Sequence, residues 1–152
     1  MKIIAVHEHP YLLDSAVQYF WEKWGSGENF TFYQACMIHS GNTDDGIPRF
    51  YAAIQDEEII GIYALIRNDL NSRQDLQPWL ACLYIDPGSR GQKLGSSLLD
   101  HAIEEAAKLG FKKLYLQTDL KGYYEKYGWL HRGEVFGAGG GSTQFYEKGT
   151  GA

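Results

Sequence analysis

Residues 79–118 hold a buried strand, a glycine-rich turn, a long amphipathic helix and a second strand, and this succession constrains the fold more than any other feature. The apolar run WLACLYI (79–85) leads into DPGSRGQKLGSSLLD (86–100). Apolar residues then recur at helical spacing as far as Leu109, and Gly110 ends the predicted helix. With the strand at 112–118, the pattern predicts a right-handed parallel strand–helix–strand unit. Such a unit has an open cleft at the carboxyl ends of its strands, where ligands tend to bind.

The rest of the chain adds further helices and mostly antiparallel strands, which gives a mixed α/β layout in the order βααβββαβαββ. A length of 152 residues is typical of one domain, so we expect residues 1–152 to form a single domain. The remaining predicted strands lie at 2–6, 50–55, 59–66, 129–136 and 143–148, and the remaining helices at 11–24, 28–38 and 121–127.

Charge and hydropathy exclude several classes of partner. The net charge of −5 and the pI near 5.5 argue against binding to nucleic acid or to an anionic membrane surface. No apolar run approaches the ~18 residues that cross a bilayer, and the first ten residues do not resemble a secretory signal. Cys36 and Cys82 lack metal-type spacing, so a reduced, cytoplasmic protein is expected. His7 and His9 flank one glutamate without a third ligand, so no metal site is predicted.

The turn before the long helix has the composition of an anion-binding site. Unpaired N–H groups and a partial positive charge at a helix N-terminus attract anions. Gly91 and Gly95 allow close backbone approach, while Arg90 and Lys93 add positive charge. The dinucleotide pattern G-x-G-x-x-G and the P-loop pattern G-K-[ST] are both absent. On these residues alone, a plain strand-to-helix connector is an equally good interpretation.

Two motifs in this order resemble those of the GNAT superfamily of N-acetyltransferases. The segment WLACLYIDPGSRGQKLGSSLLDHAIEEAAKLG (79–110) is similar to the family's motif A, written V-x-P-x-x-R-G-x-G-I-G. The segment LYLQTDLKGYYEKYGW (114–129) is similar to the family's fifth strand and the helix after it. Lys93 departs from the pattern, because the family usually has glycine at that position.

The resemblance implies the GNAT acyl-CoA N-acyltransferase fold, a mixed central sheet with a splayed pair of parallel strands and helices on both faces. It implies acetyl-CoA as acetyl donor, with its pantetheine arm paired to the strand before the turn and its pyrophosphate held at the helix N-terminus. The residues so implicated are Leu83, Tyr84, Ile85, Arg90, Gly91, Gln92, Lys93, Leu94, Gly95 and Ser96.

The same resemblance implies direct acetyl transfer to a primary amine in a ternary complex. Tyr124 corresponds to the family's tyrosine that assists the departing thiolate, and a backbone N–H near Tyr84 or Ile85 would bind the oxyanion. An alkyl amine with a pKa near 10.4 is mostly protonated at pH 7, so forming the neutral amine costs roughly 4 to 5 kcal/mol. Glu22, Asp69, Asp75 and Asp119 are candidate bases that the sequence does not separate, and a water relay is an alternative.

Neighbouring residues favour packing roles. Tyr123 and Tyr127 are typical of an aromatic core, Cys82 of a buried strand position, and Asp119 fits a helix N-cap as well as a cofactor contact. In this fold the acceptor side is formed by the first helices and the loop before the central strand, here residues 19–33 and 68–79. Aromatic and carboxylate residues in both segments favour a cationic small-molecule or peptide amine.

Two rival classes stay open at this point. One is a non-catalytic acyl-CoA-binding sensor of the same fold, and the other is a structural α/β domain whose glycine turn binds nothing. The oligomeric state is also open, because the C-terminal strand behind the glycine cluster 137–141 could pair between two copies as a homodimer.

Overall fold

Seven strands and three α-helices form the computed structural model, which describes residues 1–91 and 93–152. The helix predicted from residue 11 begins two residues later, because Pro10–Leu12 form a 3₁₀ turn. The helix predicted at 121–127 is a short 3₁₀ helix, Tyr124–Tyr127. The elements are β1 (Lys2–Ala5), α1 (Leu13–Trp24), α2 (Phe30–Ile38), β2 (Arg49–Gln55), β3 (Glu58–Ile66), β4 (Trp79–Ile85), α3 (Leu94–Lys108), β5 (Lys113–Thr118), β6 (Leu130–Phe136) and β7 (Ser142–Gly149).

The strands form one mixed sheet in the order β1-β2-β3-β4-β5-β7-β6. All neighbours are antiparallel except β4 and β5, which run parallel as predicted. Among the described residues, β4 and β5 are paired only at Trp79 and Tyr115. Beyond that pair the two strands diverge, so the predicted splay and the predicted fold class are confirmed. The resulting gap opens at the carboxyl ends of both strands, next to the turn that precedes α3.

A β-bulge lies in the middle of β4. Two residues of β4, Cys82 and Leu83, stand opposite one residue of β3, Tyr63. The backbone of Cys82 is left-handed, with φ of +56°. A bulge re-aims the side chains that follow it. Leu80 and Leu83 therefore both contact the core beneath α3, although a spacing of three would put them on opposite faces of a regular strand.

The helices cover both faces of the sheet. On one face, the apolar stripe of α3 packs against tyrosines of β2 and β3, and Tyr51 and Tyr63 stack with ring centroids 4.5 Å apart. On the other face, α1 and α2 bury Phe20 and Met37 against β2 and β3. Each fully buried large apolar side chain contributes about 1.5–3 kcal/mol to the free energy of unfolding. Because such side chains lie on both faces, the helices stabilise the sheet from both sides. The buried residues of the α3 stripe are Leu94, Leu98, Leu99, Ala102 and Ala106.

Within residues 1–91 and 93–152, no helix has both the length and the apolar character needed to cross a bilayer.

Candidate active site

The turn before α3 places a left-handed residue directly at the start of the helix. Gly91 has φ of +84°, and Lys93, the N-cap residue, has φ of +61° and ψ of +16°. The side chain of Lys93 makes no capping hydrogen bond, so the N–H groups in the first turn of α3 receive no partner from the N-cap residue. Left-handed backbone favours glycine, which gives a physical reason for the glycine that the GNAT pattern has at the position of Lys93. The predicted contact of Gln92 lies outside the described residues.

A cleft of about 690 Å³ opens between this turn, the end of β4 and the Tyr124–Tyr127 helix. The structure brings all the predicted site residues together in it apart from Gln92: Leu83, Tyr84, Ile85, Arg90, Gly91, Lys93, Leu94, Gly95, Ser96 and Tyr124. We call this space the first cavity. Leu120, Tyr123 and Tyr127 also line it, although the sequence interpretation gave the two tyrosines packing roles. They do pack on the core, and the ring of Tyr123 lies edge-on to that of Tyr127 with centroids 5.5 Å apart.

Two close contacts shape the mouth of the first cavity. A β-carbon on Gly95 would lie 3.2 Å from Cδ1 of Ile85 and 3.4 Å from the hydroxyl oxygen of Tyr123. Bare backbone at Gly95 therefore keeps helix and strand close without blocking the space between them. Arg90 donates a hydrogen bond from Nε to the carbonyl oxygen of Ile85 at 3.1 Å, and its guanidinium lies 5.5 Å from the ring centroid of Tyr84. A positive charge is thus held beside the helix N-terminus.

Tyr124 is nearly buried, with 9% of its surface exposed, at the start of the 3₁₀ helix. Its ring packs edge-on against Tyr123, with centroids 4.9 Å apart, and lies 6.2 Å from the rings of Trp129 and Tyr146. Burial, and secondarily the neighbouring Tyr123, raises the pKa of the Tyr124 hydroxyl to about 12. At neutral pH the phenol is therefore protonated and available as a hydrogen-bond donor.

A second cavity of about 480 Å³ lies on the other side of the splayed strands. It is bounded by α1, α2, the loop before β4 and the gap between β4 and β5. Three residues line both cavities, so the two spaces meet there: Leu83, Leu120 and Tyr124. The other residues that line the second cavity are Trp24, Tyr33, Asp69, Leu80, Ala81, Cys82, Leu116, Gln117 and Thr118.

Asp69 is the one carboxylic acid among the described residues of the second cavity, and these include no lysine, arginine or histidine. Burial raises the pKa of the Asp69 carboxyl, and a hydrogen bond from Gln117 acts in the opposite direction. Burial also raises the pKa of the Cys82 thiol to about 12 and that of the Tyr33 hydroxyl above its ordinary value, so both groups are neutral at pH 7. Cys82, which the sequence interpretation buried in the strand, is half-buried because the bulge turns it towards this cavity.

The other three candidate bases point elsewhere. Glu22 is exposed on α1 and accepts a hydrogen bond from Nε2 of Gln18. Asp75 is exposed, and its ion pair with Arg73 lowers the pKa of its carboxyl to about 2. Asp119 is exposed and accepts a hydrogen bond from Thr143; it does not cap the helix that follows. The tertiary structure therefore separates four carboxylates that the sequence treated alike.

Comparisons with known proteins agree with this geometry. Residues 12–129 match the model of the acetyltransferase (GNAT) family. A 51-residue segment is 41% identical to the uncharacterized N-acetyltransferase YitI of Bacillus subtilis (strain 168); the match covers 32% of this chain and 34% of that protein.

Among solved structures, an aminoglycoside 6'-N-acetyltransferase complexed with coenzyme A aligns with a TM-score of 0.73 at 18% identity, over 99% of this chain and 97% of the other. An aminoglycoside 6'-acetyltransferase type Ii aligns with the same TM-score and coverage at 22% identity. Identities at this level show a common fold. Because the family match extends over most of the chain, the protein belongs to the GNAT family of acetyltransferases.

Proposed function

We propose that the protein is an N-acetyltransferase that moves an acetyl group from acetyl-CoA directly to a primary amine in a ternary complex. The observation that carries the proposal is the meeting of two cavities at Leu83, Leu120 and Tyr124. One cavity has the positive charge and bare backbone that suit a diphosphate, and the other has the carboxylate and aromatic walls that suit an amine. Their junction lies beside Tyr124, where donor and acceptor would come into contact.

The first cavity fits the carrier of the acetyl group. The N-terminus of α3, with Arg90 and Lys93 beside it, supplies N–H donors and positive charge for a diphosphate. The fold-related aminoglycoside 6'-N-acetyltransferase is complexed with coenzyme A, which supports this assignment. When bound, acetyl-CoA supplies an acetyl thioester that an amine can attack.

The gap between β4 and β5 suits the pantetheine arm. The N–H of Asp86 donates to the carbonyl oxygen of Ile60 on β3 at 2.9 Å. Because successive N–H groups of a strand point to opposite sides, the N–H of Ile85 is directed away from β3, towards the gap. We assign the N–H of Ile85 as the donor that binds the carbonyl oxygen and stabilises the oxyanion, in preference to that of Tyr84.

Tyr124 acts as a hydrogen-bond donor to the sulfur. With the pKa of Tyr124 raised to about 12, complete transfer of its proton to a thiolate of ordinary pKa near 8.5 would cost roughly 5 kcal/mol. A hydrogen bond stabilises the thiolate without that cost, and the sulfur receives its proton from the amine nitrogen.

The proposal is tested by calorimetric titration with acetyl-CoA and by thiol release over a panel of primary amines. The panel contains a short alkyl amine, a polyamine, an aminoglycoside, a blocked lysine amide and an α-amino acid. We expect saturable binding at one site per chain and amine-dependent thiol release. Absence of binding by the folded protein would overturn the proposal. Binding without amine-dependent release on the whole panel would instead favour the non-catalytic acyl-CoA sensor.

A further inference from the structure

We propose that Asp69 binds the acceptor's ammonium group and takes its proton, and that Gln117 and Asn71 are positioning residues that hold the Asp69 segment at the second cavity. The inference rests on the proposed acetyltransferase function and specifies its acceptor. It assigns the preferred acceptor class to primary alkylammonium compounds that have no carboxylate close to the nitrogen.

A hydrogen-bonded chain ties the Asp69 segment to β5. Gln117, on β5, donates from Nε2 to the backbone carbonyl oxygen of Asp69 at 2.9 Å. Its Oε1 accepts a hydrogen bond from Nδ2 of Asn71, also at 2.9 Å. Both ends of the Gln117 amide are thus used to fix one loop against the strand that borders the gap.

Asn71 is the buried centre of this loop, with 5% of its surface exposed. Its Oδ1 accepts hydrogen bonds from the backbone N–H of Arg73 at 3.0 Å and from Nδ2 of Asn68 at 3.1 Å. Its own N–H donates to Oδ1 of Asn68 at 2.8 Å. A buried asparagine whose side-chain oxygen and nitrogen are both hydrogen-bonded restricts the conformation of the loop. The carboxyl of Asp69 is therefore presented from a rigid support, as a base needs to be.

The charges around Asp69 favour a cationic ligand. The titratable groups that face it are Tyr33 from α2, Cys82 from β4 and Tyr124 from the 3₁₀ helix, and all are neutral at pH 7. Asp69 has no ion-pair partner among the described residues. An ammonium group would supply the missing charge, with the rings of Trp24 and Tyr33 as apolar and cation–π surfaces. A carboxylate on the acceptor, close to its nitrogen, would be repelled by the negative charge of Asp69, and the described lining of the second cavity has no lysine, arginine or histidine to bind it.

The proton balance follows from this placement. The ammonium group gives one proton to a carboxylate oxygen of Asp69, and the freed lone pair forms the nitrogen–carbon bond as the carbon–sulfur bond breaks. The second proton leaves the nitrogen for the departing sulfur, which accepts a hydrogen bond from Tyr124. Asp69 releases its proton to solvent as the products leave. The net products are an amide, a thiol and one proton.

The test compares the wild-type protein with Asp69→Asn and with a matched control, Asp75→Asn, which removes an exposed carboxylate from the same loop. We expect kcat/KM for the best amine to fall ~10²- to 10³-fold in Asp69→Asn and to change less than about twofold in Asp75→Asn. The dissociation constant of acetyl-CoA should change less than about twofold in both, because Asp69 does not line the first cavity. Equal activities of Asp69→Asn and wild type would overturn the inference while leaving the acetyltransferase function intact.

The positioning role is tested by Gln117→Glu and by the pH profile of kcat/KM. A second carboxylate beside Asp69 raises its pKa, so we expect the acidic limb of the profile to move ~1 unit to higher pH. An equal loss of rate at every pH would indicate that Gln117 only supports the fold and would overturn its assigned role.

The acceptor class is tested by β-alaninamide against β-alanine, a matched pair that differs in one carboxylate near the nitrogen, with rates corrected for the fraction of free amine. We expect the amide to react at least ~10-fold faster, and a faster reaction of β-alanine would overturn the assigned class. If neither compound reacts, the comparison passes to the fastest acceptor of the panel: the class is upheld if that acceptor has no carboxylate near its nitrogen and overturned if it has one. A wild-type protein that binds no acetyl-CoA would instead remove the proposed function and this inference with it.

Discussion

Gly95 of α3 and Ile85 of β4 approach so closely that a β-carbon on Gly95 would lie 3.2 Å from Cδ1 of Ile85. The contact lies at the mouth of the first cavity, which both residues line. The helix α3 and the strand β4 therefore pack against each other at Gly95, where no side chain covers the backbone. The absence of one side chain accordingly serves both packing and ligand access.

Gly95→Ala should weaken acetyl-CoA binding about tenfold, because the added methyl group occupies space at the helix N-terminus. The free energy of unfolding should change by less than about 1 kcal/mol, since alanine's higher helix propensity offsets the tight contact with the mobile end of Ile85. Calorimetry and urea unfolding measure the two effects. Gly88→Ala is the matched control, because a β-carbon there meets no atom within 4 Å. Equal affinity losses in the two variants would contradict the prediction.

Lys93 is strained, because its φ of +61° suits glycine better than a residue with a β-carbon. Lys93→Gly and Lys93→Ala remove the same charge, but only the glycine variant removes the β-carbon. We expect Lys93→Gly to be about 1 kcal/mol more stable than Lys93→Ala. Thermal and urea unfolding of the pair measure the difference. Equal stabilities would show that the left-handed backbone at this position carries no such cost.

Tyr124→Phe should lower kcat about 100-fold and change the dissociation constant of acetyl-CoA less than about twofold, because in the proposed mechanism the hydroxyl acts on the sulfur only as it departs. Tyr146→Phe is a suitable control, since Tyr146 is a buried tyrosine whose ring lies 6.2 Å from that of Tyr124. Thiol release and calorimetry give the two quantities. Loss of binding in proportion to turnover would mean that Tyr124 shapes the cavity and has no part in the chemistry.

Stability should fall as the pH drops below about 6.5, the ordinary pKa of histidine. Burial is the chief cause that lowers the pKa of His7 and of His101 in the folded protein. The unfolded chain therefore binds more protons in this range, and each histidine contributes a slope of at most about 1.4 kcal/mol per pH unit. Urea unfolding between pH 5 and 7.5 measures the slope.

The hydroxyl of Tyr63 and Nδ1 of His101 share a hydrogen bond of 2.6 Å. His101→Asn keeps a polar group near that hydroxyl but does not titrate. This variant therefore tests how much His101 contributes to the pH dependence of stability. The variant should show a smaller slope than wild type. An unchanged slope would exclude His101 as a source of the pH dependence.

The strand-to-helix unit was readable from sequence because it depends on local patterns. Apolar residues at 79–85 and the stripe from Leu94 to Leu109 give a strand and a helix by their periods alone. The residues that the motifs implicate lie close together in the structure, since all the described ones line the first cavity. Local chemistry, glycine beside arginine at a helix start, is the basis of the predicted anion site, which stays a prediction.

Only the tertiary structure determined how the second cavity is formed. The run LACLY contains no glycine or proline that marks a bulge, yet pairing with β3 places one at Cys82 and Leu83. Asp69 faces the second cavity because Asn71 reaches Gln117, 46 positions further along the chain. Such contacts depend on which strands become neighbours. Sequence periodicity specifies each element and its buried face, whereas the direction of a loop carboxylate follows from long-range hydrogen bonds that form only once the sheet is assembled.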